Sequence, residues 1–233
     1  MKKGSTVLLF LWVPILVLAQ WHVGIIGGID YNAYSAETHY MKDWKYKGAA
    51  GCTAGLMGQY NFKDWLGLRM ELNWIQKNHS LNGPHIITQT GKVIQHISLA
   101  SKNDYVQVPI MAALSFGNKK WRGIFNVGGF GGKWVSKRLN GIATGLRIND
   151  ESAVEFGPKD WQYKSFVDER DQRFEFGLLV GGGAEWRFSD YWACQVEGRY
   201  YYSTTSTQKN YMRIKNPQYN TTYSFHLTAC YIF

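Results

Sequence analysis

The stretch that most constrains this chain runs from Tyr223 to Phe233. One parity reads Tyr223, Phe225, Leu227, Ala229, Tyr231 and Phe233; the other reads Ser224, His226, Thr228, Cys230 and Ile232. A period of two places these sets on opposite faces of one strand. The first face is apolar and ends in aromatics. A long amphipathic strand must pair, because a free edge exposes a row of unsatisfied backbone amides. Closing a sheet on itself, last strand against first, removes that edge.

Seven further segments alternate: residues 21–31, 52–62, 66–74, 105–116, 121–134, 173–188 and 191–202. In the third, Leu66, Leu68, Met70, Leu72 and Trp74 alternate with Gly67, Arg69, Glu71 and Asn73. In the sixth, Phe174, Phe176, Leu178 and Val180 face away from Glu175, Gly177, Gly181, Gly183, Glu185 and Arg187. Tight turns at Lys63-Asp64, Asn118-Lys119-Lys120 and Ser189-Asp190 alternate with long polar links at residues 32–49, 78–104, 135–172 and 203–220. Strict short–long alternation predicts an all-β, eight-stranded antiparallel up-and-down barrel, with short periplasmic turns and long extracellular loops. Residues 86–99 alternate weakly around Thr90-Gly91, which predicts a hairpin extending the third and fourth strands above the membrane. Pro109 removes a ladder donor inside the fourth strand, so a bulge is expected there.

A soluble, lipocalin-like ligand-binding barrel would share the strand count and the alternation, with its apolar residues inside. Lipid outside is favoured by the glycines of the polar parity, which suit a narrow interior. It is favoured also by aromatics at strand ends: Trp65, Trp74, Trp121, Phe188, Trp192, Tyr200, Tyr223 and Phe233. A mean hydropathy of −0.30 excludes a helical membrane protein. Lys2 and Lys3 precede an apolar run over residues 7–18, followed by Ala19. That pattern predicts a signal peptide at residues 1–19 and one outer-membrane barrel domain at 20–233. The formal charge of +9 falls to about +7 without Lys2 and Lys3, a balance that favours anionic partners such as lipid or lipopolysaccharide phosphates. Export rules against nucleic acid.

His22-Val23-Gly24-Ile25-Ile26-Gly27-Gly28, Tyr105-Val106-Gln107-Val108-Pro109-Ile110-Met111 and residues 176–185, from Phe176 to Glu185, carry a family resemblance. The chain resembles the PorT-like outer-membrane β-barrel proteins of the Bacteroidota type over nearly all of residues 20–233. The resemblance implies an eight-stranded barrel in the outer membrane, with some members linked to protein secretion and gliding, and it supplies no catalytic residues. Tyr231-Ile232-Phe233 resembles the aromatic-ended signal read by the outer-membrane insertion machinery.

The polar parity points Asp30, Glu71, Glu175, Glu185 and Glu197 inward against Arg69, Arg122, Arg187 and Arg199. In a barrel narrow enough to be filled by side chains, these are expected to form an ionic network. His22 and His226, inward on the first and last strands, are expected to pair at the seam. His39, His79, His85 and His96 read as surface loop residues. Cys52 and Cys194 fall on the apolar parity and Cys230 on the polar one, so the last two do not bridge; all three read as small buried fillers. Trp44, Lys45 and Lys47 in the first long loop are candidate contacts for lipopolysaccharide phosphates, and Trp161, Tyr163 and Phe166 in the third are candidates for contact with an unidentified protein partner or for folding over the barrel mouth. No nucleophile elbow or metalloprotease motif occurs. The expected role is non-enzymatic, without cofactor or metal: an accessory barrel presenting its loops. A narrow small-solute, porin-like channel is the alternative.

Overall fold

The computed structural model describes residues 20–36, 45–83, 86–87, 93–145, 154–156, 166, 168–209 and 217–233. The expected signal peptide lies outside the described residues, as do Trp44, Trp161, Tyr163, His39, His85 and the side chain of His96. The strands are β1 (Gln20–Ala36), β2 (Lys45–Lys63), β3 (Leu66–Gln76), β4 (His79–Asn82), β5 (Ile86–Ile87), β6 (Val93–Gly117), β7 (Trp121–Gly145), β8 (Val154–Phe156), β9 (Phe174–Arg187), β10 (Trp192–Ser203) and β11 (Gln218–Ile232). Eight of them form a closed antiparallel ring in the order β1, β2, β3, β6, β7, β9, β10, β11. The seam pairs β11 with β1, from His22 opposite Ile232 to Ala36 opposite Gln218, without a slip.

Each expected strand is present, and most run further at the open end. β6 and β7 contain 25 residues each, where about 9–11 suffice to cross a membrane. Much of the expected loop is therefore strand standing above the bilayer. β4 continues the line of β3 between β2 and β6, and β5 pairs with β6, which is the extending hairpin. Its turn, Thr90-Gly91, lies outside the described residues.

Pro109 does not make a bulge. Met70 pairs with Ile110 and Asn73 with Gln107, so the register passes Pro109 unchanged while the ladder between them is interrupted. On its other side Pro109 stays in register with Phe130. Losing one donor leaves a gap in hydrogen bonding, and a gap does not by itself require an extra residue. The extra residues lie elsewhere: Phe62 in β2, and Val135 in β7 where β6 shifts between Asp104 and Tyr105. Beyond Val135 the inward parity of β7 switches from Trp134 to Lys137 and Leu139, which then line the open mouth.

The faces are inverted relative to a soluble protein. Ile25 is 63% and Ile29 68% exposed, whereas Arg69, Gln195 and Glu197 are each 1% exposed. That distribution excludes the lipocalin-like arrangement and requires lipid around the ring. Aromatic pairs mark both edges of the apolar band. At the short-turn end Trp121 stacks on Trp186 at 5.8 Å, and Tyr231 meets Phe233 at 4.8 Å; at the other, Tyr200 meets Tyr223 at 5.2 Å. The cysteines are free. Cys230 is buried inside, but Cys52 is exposed and Cys194 half-buried, so the buried-filler expectation is corrected for these two. Their parity turns them to lipid, where a small thiol is tolerated without packing.

Candidate functional site: the barrel lumen and its open mouth

Alternation delivers side chains at i and i+2 into the lumen together, so β3 supplies Arg69, Glu71 and Asn73, and β10 supplies Gln195, Glu197, Arg199 and Tyr201. These two strands lie four places apart in the ring of eight, on opposite walls. Their charges meet across the full width. Arg199 donates through Nη1 and Nη2 to both oxygens of Glu71 at 2.6 and 2.8 Å, and through Nη2 to Glu197 Oε2 at 2.7 Å. Arg69 Nε donates to Glu71 Oε1 at 2.6 Å, and its Nη1 to Gln195 Oε1 at 2.7 Å. Asn73 and Asn126 donate to Glu71 and Glu197 at 2.8 Å each. Two guanidinium groups and two carboxylates thus form a neutral, buried cluster that spans the lumen. Space for it comes partly from Gly181, where any Cβ would run into the Glu197 carboxylate and Arg199.

Toward the short turns, Glu185 accepts from Arg187 Nε at 2.6 Å and from Gln195 Nε2 at 2.7 Å. Arg122 is not joined to this network by a carboxylate; its Nη2 donates to the carbonyl of Asp64 and to Ser115 Oγ. Toward the open end, Glu175 stands apart from the central cluster and pairs with Lys77 at 2.6 Å. Lys77 also lies over the rings of Tyr105 and Phe130, at 5.2 and 4.9 Å. Asn220 donates to Glu175 at 3.2 Å. Sequence reasoning missed Lys77 because the apolar alternation ends at Trp74; yet Lys77 keeps the odd parity of Arg69, Glu71 and Asn73. Asp30 is held by hydroxyls, from Thr53 at 2.6 Å and from Ser224. The expected His22–His226 pair does not form. His22 lies opposite Ile232 and His226 opposite Gly28, six residues apart and so about 20 Å along the strands. Both belong to the seam, but register separates them.

Above the Lys77 layer the mouth opens into a cavity of about 370 Å³ with an aromatic wall of Tyr34, Tyr46, His79, Tyr105 and Trp134. Tyr34 and His79 stack at 3.9 Å, and Trp134 and Tyr105 at 5.8 Å. His79 is therefore a cavity residue on β4 and not a surface loop residue. Phe166 folds edge-on against Trp134 at 5.1 Å, with Arg173 over its ring at 4.3 Å. Lys45 and Lys47 are exposed near the outer end of β2, in strand where a loop was expected.

Burial and the nearby Lys137 ammonium lower His79 to about 4. Its pKa in the unfolded chain is about 6.5. The neutral ring is thus favoured in the folded mouth, and its contribution is complete above pH 6.5. It falls as the pH drops from 6.5 toward 4, by at most about 3 kcal/mol before solvent screening. Amide exchange at β4 should accelerate across that window in the native chain and stay flat in His79→Phe. Equal acceleration in both would locate the acid sensitivity elsewhere.

A closed ring with an apolar outer band, aromatic edges and a charged, filled interior defines a membrane-spanning β-barrel of the outer membrane. The chain belongs to the outer membrane protein beta-barrel domain family, which matches residues 18–209. It therefore resides in the outer membrane, its short turns at the periplasmic side. No curated protein sequence matches it significantly. Among solved structures it is similar to the outer membrane protein OprG from Pseudomonas aeruginosa, with 8% identity, 92% of this chain and 96% of that chain covered, and a TM-score of 0.50. It also aligns with Neisserial surface protein A at 13% identity, covering 91% of this chain and 95% of that one, TM-score 0.45. Ail of Yersinia pestis, solved with the heparin analogue sucrose octasulfate, aligns at 13% identity, 91% and 99% coverage and a TM-score of 0.41.

Proposed function

We propose that this protein is a non-conducting, non-enzymatic barrel that holds its extracellular rim out to a partner. One observation carries the reading: Arg69, Glu71, Glu197 and Arg199 join opposite walls of the lumen and leave it filled at mid-height. The long upper strands and the exposed Lys45 and Lys47 support a rim suited to contact, with anionic lipopolysaccharide phosphates as one partner and a protein as another. The PorT-like resemblance supports a secretion-associated accessory role for that partner. We assign Tyr231 and Phe233, paired edge to face, to recognition by the insertion machinery.

The test is electrical. Purified barrel in planar bilayers should show no steady ohmic conductance. Reproducible conductance in proportion to the protein inserted would replace this reading with the small-solute channel. Cross-linking from Lys45 and Lys47 in native outer membranes then identifies what the rim holds.

A further inference from the structure

We propose that His22, Glu185 and Cys230 form a binding site for a zinc-like divalent cation inside the periplasmic end of the barrel. One ring nitrogen of His22, one carboxylate oxygen of Glu185 and Sγ of Cys230 lie within 4.8 Å of one another. The three side chains come from β1, β9 and β11 and are 1%, 2% and 0% exposed. The strand that separates β9 from β11 is β10, and at this level it contributes Ala193, opposite both Arg187 and Cys230. On β1 the residue opposite Cys230 is Gly24, where a Cβ would come within 3.0 Å of Cys230 Cβ. Small residues thus clear the space in which the three donors converge.

One of the three, His22, has a ring nitrogen without a partner, while Cys230 Sγ donates to the Ala193 carbonyl at 3.4 Å. His22 Nε2 lies 3.3 Å from Asn61 Nδ2, while His22 Nδ1 is buried with no hydrogen-bond partner. A buried ring nitrogen without a hydrogen-bond partner is costly, and a cation held by that nitrogen would remove the cost. Asn61 steadies the ring from its other nitrogen, and Arg187 and Gln195 hold the Glu185 carboxylate, the kind of outer support that metal ligands receive. Thiolate, imidazole and carboxylate together select zinc or cobalt over magnesium or calcium, which want oxygen alone. Three protein ligands leave a fourth position for water. Bond lengths of about 2.0–2.3 Å put tetrahedral ligand atoms roughly 3.3–3.7 Å apart, so the widest pair closes by about 1 Å on binding. The thiol proton of Cys230 leaves to bulk water as the thiolate takes the metal.

Toward the short turns lies a cavity of about 590 Å³ lined by Lys119, Lys120, Arg122 and Arg187 against Asp64 and Asp190, and by Ile232, the residue opposite His22. Its positive surplus opposes a cation approaching from that side, an effect that rising ionic strength screens.

The experiment uses the folded full chain carrying Cys52→Ala and Cys194→Ala, which leaves Cys230 as its thiol and removes only the outward-facing ones. Titrated with Co²⁺, this protein should bind one equivalent with a sulfur-to-cobalt charge-transfer absorption that Zn²⁺ abolishes. Cys230→Ser should lose the absorption, and His22→Gln should weaken binding at least about tenfold, with folding checked by heat-dependent gel mobility. Absence of the absorption in the folded parent overturns the site outright, as does binding unchanged in both variants.

Discussion

Arg199→Ala is expected to lower the unfolding free energy of the barrel by about 3–5 kcal/mol, because it leaves buried carboxylates without their counter-charge. Glu71 loses two of its hydrogen bonds and keeps those from Arg69 and Asn73; Glu197 keeps Asn126, with Arg69 at 3.8 Å. Urea unfolding in lipid vesicles, followed by tryptophan fluorescence, reads the loss. The double replacement Glu71→Met with Arg199→Met removes opposite charges together, so it should cost much less than the two single changes added, and the difference is the coupling energy of the pair. A loss below about 1 kcal/mol for Arg199→Ala would mean that these charges are solvated by a water-filled lumen. That result would also favour the channel over the closed barrel.

The second large effect is expected on the outer face. Leu227 sits on β11 four residues from Tyr223 and four from Tyr231, midway between the aromatic edges. Leu227→Arg should destabilise the barrel by about 2–4 kcal/mol, the cost of an arginine at the bilayer midplane. Tyr223→Arg, at the edge, should cost about 0–1 kcal/mol, since the guanidinium reaches the headgroups. The same vesicle unfolding assay compares them. Equal and small costs would mean that water, not lipid, surrounds the ring.

The ring itself was legible in the residues. Strict alternation in residues 66–74 and 173–188, with tight turns between, fixes strand pairing and which face is polar, because a slip of one residue would turn every apolar side chain inward. The upper strands were not legible, since above the bilayer neither face of β6 or β7 meets lipid and the apolar alternation fades although the backbone pairing continues. The same loss hid Lys77, and it made His79 read as a surface loop residue when it packs at the mouth. The inward direction of Arg69, Glu71, Glu197 and Arg199 followed from parity. Which acid meets which base across the lumen did not, because it depends on β3 and β10 facing each other after closure. His22 and His226 do lie on neighbouring strands, but the register set by the whole seam keeps them six residues apart, and register is not legible from the parity of either strand alone.

The contact of Arg199 with Glu71 joins residues 128 apart in sequence, on walls that share no backbone ladder. It can form only when the ring is nearly complete. Interactions that arise after the rate-limiting barrier slow the reverse reaction and leave the forward one almost unchanged. The central cluster therefore acts chiefly on lifetime: it sets how long an inserted barrel persists before it opens, rather than how quickly it assembles.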